Sequence, residues 1–313
     1  MLLIFKSCVI YSCGFSQKIT KSLTTEENAF KCMLGDIFCQ SMPEKIRRVA
    51  IATKLNNKEA QDTAQLIVKI LGSHDIVSYS ILPLTLDGST PASYSDLKEA
   101  SIDIMLAIGG DGTTLRACRG MPPNTPILPM NIGGNRGILS EVGADMIEKS
   151  IYNTLSGEYL LERTLRIFAI ANGQQTFPAL NEILCTRSNV MRTPYFSINT
   201  LDDVINQRMD GVAVSTPTGS TGHCYSLGGP LLQGNLESLV IVPVGSINRM
   251  PSIVVPVNNI VIKSNYDMNL IVDGQEIYPI RSDQKILISR YPIDVTFIRF
   301  KKRGLKQLVK LGF

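Results

Sequence analysis

The sequence predicts an α/β protein in two parts, a strand–helix alternation followed by a β-rich half. Three observations carry this. Apolar strand-like runs alternate with helix-like segments from about residue 45 to residue 157, the pattern of a parallel sheet with helices on its faces. After residue 158 the segments become short, β-branched and separated by turn residues, as in antiparallel sheets. And a chain of 313 residues can bury one large core or two medium ones.

In order, "RRVAIATKL" (47–55) reads as a strand rich in Val, Ile and Ala. The next segment opens on Asn cap candidates, places Ala60, Ala64, Ile67 and Leu71 at helical spacing, and stops at Gly72. "DIVSYSILPL" (75–84) is extended and "IDIMLAIGG" (102–110) is a buried strand. "TTLRACRG" (113–120) can start a helix, "NTPILPMNIGG" (124–134) is a strand, and 143–157 is helical with Ile147, Ile151 and Leu155 on one face. Beyond this, 159–188 reads as two strands around "NGQQ", and "YFSINTLDDVINQRMDGVAVSTPTG" as two more. "SLVIVPV", "IVVPVNNIVIKS", "NLIVDGQE", "KILISRY" and "VTFIRF" complete the β-rich half. "GSTGHCYSLGGP" is its one helical candidate. The expected division is a poorly ordered extension at 1–41, an α/β part at 42–150, a β-rich part at 151–298, and a basic segment at 299–313 returning to the first part. Met42 directly precedes the first ordered-looking residues.

Composition narrows the function classes. The hydrophobic fraction is 44%, the charged fraction 19% and the net charge +4, which suits a globular enzyme handling small polyanions. No apolar run reaches the ~18 residues of a membrane span, and no concentrated basic stripe marks a nucleic-acid binder. Neither a membrane nor a nucleic acid is an expected partner; a homodimer or homotetramer is. The seven cysteines form no C-x-x-C pair, and their odd number favours free thiols in a reducing compartment, the cytoplasm. Lys6 interrupts the apolar start and no charged region precedes it, so it is a weak secretory signal.

Four stretches carry chemistry. "IGGDGTTLR" (108–116) ends a strand with three glycines around Asp111. Glycines let a ligand approach the backbone, whose N–H groups hold phosphate oxygens. A carboxylate there can take a proton from a hydroxyl or help to hold Mg²⁺; the plainer alternative is a turn in which Asp111 caps the next helix. A second glycine-rich turn, "NIGGNRG" (131–137), follows another strand and would face the same crevice. Asn181 and Glu182 pair an amide with a carboxylate, which suits a diol; a strand-edge polar pair is the alternative. "DGVAVSTPTGSTGHCYSLGGP" (210–230) packs small hydroxyls and glycines as a polar nucleotide would require. "VDGQE" (272–276) is most simply a hairpin turn on Asp-Gly.

In this order and spacing, "GGDGT", "LNE", "DGVAVSTPTGST" with "GGP", and "VDGQ" closely resemble NAD kinases over about residues 45–300. "GGDG" alone is shared with lipid kinases and phosphofructokinases; the Thr-Pro-Thr-Gly-Ser-Thr run is far more specific. The resemblance implies a Rossmann-like N-terminal domain, a β-rich C-terminal domain and an active site in the cleft between them. It implies transfer of the γ-phosphoryl of ATP, or of polyphosphate in some members, to the adenosine ribose 2′-hydroxyl of NAD, with a divalent metal such as Mg²⁺. By motif position Asp111 corresponds to the catalytic acid/base. NAD contacts would come from Asp111, Gly112, Arg116, Asn181, Glu182, Arg192, Arg208, Asp210, from Thr221, Gly222, His223, Cys224, Tyr225 and Ser226, and from Gln275. Two departures stand out: Gly222-His223 replaces the family's usual Ala-Tyr, and the 131–139 turn is one residue longer with Ile138 in place of Phe. A GGDGT lipid kinase and a non-catalytic NAD(P)-binding module are the competing readings.

Overall fold

The computed structural model describes residues 45–133, 137–201 and 203–303. The expected N-terminal extension, residues 134–136 of the second glycine turn and residues 304–313 lie outside them. The described residues fall in one compact unit.

The first half alternates as predicted. β1 (Arg48–Thr53) leads into helix α1 (Lys58–Gly72), followed by β2 (Val77–Ile81), β3 (Thr90–Ala92) and β4 (Ile104–Ile108). Helix α2 (Asp111–Gly120), β5 (Ile127–Met130) and helix α3 (Ile147–Leu155) complete it. Asn57 caps α1 by accepting the Ala60 N–H at 2.7 Å. The helix then buries Ala60, Ala64, Ile67 and Leu71 against the sheet, as their spacing predicts.

The second half contributes β6 (Leu160–Thr164), β7 (Ile167–Ala171), β8 (Gln174–Gln175), β9 (Glu182–Arg187), β10 (Tyr195–Asn199), β11 (Val204–Arg208) and β12 (Gly211–Ser215). The short helix α4 (His223–Ser226) interrupts the strands. They resume as β13 (Ser238–Val244), β14 (Ile253–Pro256), β15 (Ile260–Ser264), β16 (Met268–Val272), β17 (Glu276–Ile280), β18 (Ile286–Arg290) and β19 (Val295–Arg299). Segment 195–219 holds three strands rather than the expected two, because a turn around Leu201 folds β11 back on β10 before β12 begins.

Three sheets result. The first runs β3-β2-β1-β4-β5-β19-β6 and is parallel except where β19 meets β6. The other two, β11-β10-β15-β18-β7-β8 and β14-β13-β12-β9-β16-β17, are antiparallel. They share one core in which Ile167, Phe196 and Ile262 from one sheet meet Ile183, Val212 and Leu270 from the other.

The first sheet differs from expectation in one respect: it takes in β6 and β19 from beyond the expected boundary. The chain returns to the first sheet at Val295, and the expected division at 298/299 cuts through β19. Every residue of β19 is buried. A short β-branched run looks the same whether it sits mid-sheet or in a sandwich, so local pattern cannot choose its sheet. No helix among the described residues is long and apolar enough to cross a membrane.

Candidate functional site

The strand order places the first glycine turn. The chain moves outward from β1 to β2 and β3, then jumps back across β1 to β4 and β5. The carboxyl ends of β1 and β4 therefore flank a topological switch point, where open α/β sheets bind ligands. Lys54 N–H donates to the Ile108 carbonyl at 2.8 Å across that point. Gly109 turns the chain at φ +152°; a Cβ there would lie 2.6 Å from Thr113 Oγ1 and 3.0 Å from Lys54 Cβ. Only glycine fits that conformation in that space.

Asp111 is the first residue of α2, and Gly110 is the cap. Its side chain does not cap its own helix. Its two oxygens accept the N–H groups of Ile138 and Leu139, each at 3.0 Å. Those residues directly follow the second glycine turn, so the segment after that turn is tied to the carboxylate of the first. Behind Ile138 and Leu139, the C-terminal strand supports the same segment. Arg299 donates to the Leu139 carbonyl at 2.9 Å, and Arg303 donates to the carbonyls of Ile138 and Ser140 at 2.8 and 2.7 Å. A small cavity there is lined also by Pro217, Thr218 and Thr221, which brings the long motif to this wall.

Asn181 and Glu182 stand where β9 begins. Their backbone is held by Asp273, whose carboxylate accepts the N–H of Leu180 at 2.9 Å, Asn181 at 2.8 Å and Glu182 at 3.1 Å. The Glu182 side chain is 6% exposed, and its Oε2 has no hydrogen-bond partner. Burial, reinforced by the nearby Asp273 charge, pushes its carboxyl up to about 8. Burial pushes Asp273 up as well, opposed by its three N–H bonds. Glu182 is therefore held toward its protonated form at neutral pH. A buried carboxyl with an unpaired oxygen is ready to exchange hydrogen bonds with a hydroxyl.

A stability prediction arises here. Glu182 ionises near 4.5 in the unfolded chain and near 8 when folded, so the folded state binds more protons throughout that window. Stability of the ligand-free protein then falls as pH rises from about 5 to about 8, and levels off above. Glu182→Gln should flatten that fall and raise Tm at pH 8. Parallel Tm–pH curves for the two proteins would exclude a buried neutral Glu182.

The long motif is more structural than its hydroxyl content implies. Thr216 Oγ1 donates to the Leu180 carbonyl at 2.5 Å and Ser215 Oγ to the Asn181 carbonyl at 3.3 Å. Ser220 and Thr221 donate to the carbonyls of Pro217 and Thr218. The first two bonds lash the motif to the Asn181 turn, and the last two hold the motif's own turn together. A Cβ on Gly219 would collide with the Asn181 carbonyl oxygen, so glycine is required there by contact alone. Gly222 lies beside the pair: a Cβ would sit 3.6 Å from Asn181 Nδ2 and 4.0 Å from Glu182 Oε2. Room therefore exists for the alanine that the family usually carries.

The remaining candidates separate. His223, Tyr225 and Ser226 are exposed on α4, whereas Cys224 is buried with Ala213, Val240 and Val242. Arg116 turns inward and donates to the Thr53 carbonyl at 2.7 Å. Gln275 is bonded within the protein, Nε2 to the Gly112 carbonyl at 2.9 Å and Oε1 from Arg119 at 3.0 Å. Arg192 lies over the Tyr266 ring, and Asp210 pairs with Arg187 at 3.0 Å. Ser215 is opposite Glu182 in the ladder and Gly211 opposite Thr186, which puts Asp210, one residue beyond Gly211, roughly 17 Å along the strand from Glu182, while Arg208 stands on β11 of the other antiparallel sheet. Sequence reasoning missed Asp273, Arg119, Arg299 and Arg303, whose partners lie far away in sequence. A cavity of about 610 Å³ opens beside the other end of α2 between Tyr94, Arg119, Phe177 and Tyr278, and is lined by none of the expected residues.

Both halves of the chain match known proteins. The family model described as ATP-NAD kinase N-terminal domain matches residues 48–159, and the ATP-NAD kinase C-terminal domain matches residues 171–300. An NAD kinase of Thermoplasma volcanium is 34% identical over 215 residues, covering 66% of this chain and 77% of that protein. One from Methanosarcina mazei is 27% identical over 260 residues, covering 81% and 89%. In fold, the chain resembles yeast NADH kinase complexed with NADH, at a TM-score of 0.74 and 18% identity over 86% of this chain and 88% of that one. It also resembles an NAD kinase from Archaeoglobus fulgidus in complex with ATP, at 0.69 and 22% over 85% and 98%. With both halves matched by the domain models and a third of aligned positions identical to a relative spanned over most of its length, the chain belongs to the NAD kinase family.

Proposed function

We propose that the protein transfers the γ-phosphoryl group of ATP to the adenosine ribose 2′-hydroxyl of NAD, forming NADP, with Asp111 as the base. The observation that carries this is the Asp111 carboxylate, held at the switch point by the N–H groups of Ile138 and Leu139. In the transfer, the 2′-oxygen forms a bond to the γ-phosphorus. The bond from that phosphorus to the β–γ bridging oxygen breaks, ADP leaves, and the hydroxyl proton passes to Asp111. Such a reaction needs positioning and charge neutralisation more than a covalent nucleophile. Asn181 and the protonated Glu182 suit the hydroxyls of a ribose.

Among the described residues no group of three or more His, Cys, Asp or Glu could hold a metal ion. Mg²⁺ would be held mainly by the nucleotide phosphates, leaving the Asp111 carboxylate to act as the base. Bound there, the ion would neutralise phosphate charge. Three described cysteines, Cys118, Cys185 and Cys224, are free and buried, in keeping with a cytoplasmic enzyme.

The test is an assay of the purified protein with NAD and Mg²⁺, comparing ATP, other nucleoside triphosphates and polyphosphate as donors. NADP, read by an NADP-specific dehydrogenase, is expected with ATP. Phosphorylation of diacylglycerol without NADP would overturn the reading in favour of a lipid kinase. Nucleotide binding without transfer to either acceptor would favour a sensing module.

A further inference from the structure

We propose that the β16–β17 turn, Asp273–Glu276, is the element that sets the distance between the base and the acceptor-holding pair, with Asp273 and Gln275 as positioning residues. The inference rests on the roles given above to Asp111 and to Asn181-Glu182.

The turn grips both walls of the site. Val272 and Glu276 are paired in the ladder, and the chain reverses with Asp273 at φ +50° and Gly274 at φ +63°. That is the type I′ geometry favoured by Asp-Gly. On one side, Asp273 is 8% exposed and accepts three successive N–H groups, those of Leu180, Asn181 and Glu182. Its own N–H donates to the Glu182 carbonyl at 3.0 Å. On the other side, Gln275 Nε2 holds the Gly112 carbonyl in the first turn of α2, beside Asp111. At the far end of α2, Arg119 donates to Gln275 Oε1 and pairs with Glu276 at 3.1 Å. One short turn thus clamps the base's helix at both ends and the acceptor pair by its backbone. Displacing a reacting group by about 1 Å can cost about 100-fold in rate, so a shared mount is a direct route to precision.

Because the two arms hold different partners, they should have different kinetic signatures. Asp273→Asn keeps a side chain suited to positive φ and replaces one of the two carboxyl oxygens that gather the three N–H groups. It should raise KM for NAD by about tenfold or more, the cost of leaving a buried N–H donor without its acceptor, with a smaller effect on kcat. Gln275→Glu keeps the acceptor for Arg119 but sets a carboxylate against the Gly112 carbonyl. It should lower kcat by about tenfold with KM for NAD unchanged, and it should add little once Asp111 is already Asn, because residues acting through one group are not additive.

Gly274→Asn, which tolerates the turn, should stay near wild type, and Gly274→Val should disturb both constants; these two variants decide the matter should Asp273→Asn fail to fold. Equal kcat and KM per folded molecule in the Asp273 and Gln275 variants would overturn the proposal, as would a Gln275→Glu loss undiminished in the Asp111→Asn background while that variant is itself impaired. If Asp111→Asn instead turned over like wild type, the base assignment would fall by itself, and the KM of Asp273→Asn would still decide the clamp.

Discussion

Asp111→Asn is expected to lose at least ~100-fold in kcat, the lower range of a general-base contribution, while NAD still binds. The carboxylate is oriented by two backbone N–H groups from another segment, and it does not cap its own helix. Asparagine keeps one of the two acceptor oxygens and removes the basic group, so thermal unfolding of the variant, run beside the kinetics, separates any loss of that tie from the loss of the base. Single-turnover kinetics with ATP, alongside NAD titration of the same variant, separates the chemical step from binding. Wild-type-like turnover would rule out the base assignment.

Arg299→Ala is expected to destabilise the protein by about 3–5 kcal/mol, because it removes the cation at the centre of a buried ion network and leaves Glu141 with Arg303 as its remaining ion-pair partner. Arg299 is 3% exposed in a central strand. Its Nε donates to Glu162 at 2.5 Å and its guanidinium lies 3.6 Å from Glu141, whose side chain is 5% exposed. It also stacks on Phe297 at 4.3 Å and donates to the Leu139 carbonyl. In a chain of this size the loss corresponds to a fall in Tm of about 10 °C. Arg299→Lys should recover little, since an ammonium cannot reproduce the planar fork. Thermal unfolding of both variants checks this; a shift within about 1 °C for Arg299→Ala would show that the network contributes nothing net. Since the Leu139 carbonyl is held by Arg299 and its N–H holds Asp111, the folded variant should also turn over more slowly.

These two residues differ in how visible they are before folding. Asp111 announces itself: three glycines around one carboxylate at a strand end are a local anomaly. Arg299 is one basic residue in "VTFIRF", and only the insertion of β19 between β5 and β6 shows why a cation is buried there. Gln275 shows a third case. Its motif position implied a nucleotide contact, yet its side chain bonds Gly112 and Arg119, across 163 and 156 residues of sequence. Cys224 likewise sits within the long motif but packs into a core. The motif marks where chain segments must be small and tightly joined as well as where a ligand would lie, and composition does not separate the two demands.

By itself the sequence determined the alternation of strands and helices in the first half, the β-rich second half, the Asn57 cap and the Asp273-Gly274 turn, and the positions of the four motifs. These depend on periodicity and turn chemistry within a few residues. Tertiary structure alone decided that β6 and β19 complete the first sheet, that Asp111 is cradled by Ile138 and Leu139, that Glu182 is buried beside Asp273, and that one turn clamps both walls. Each of these is a contact between segments far apart in the chain. Its energy comes from desolvation and hydrogen-bond geometry that exist only once the sheets have packed.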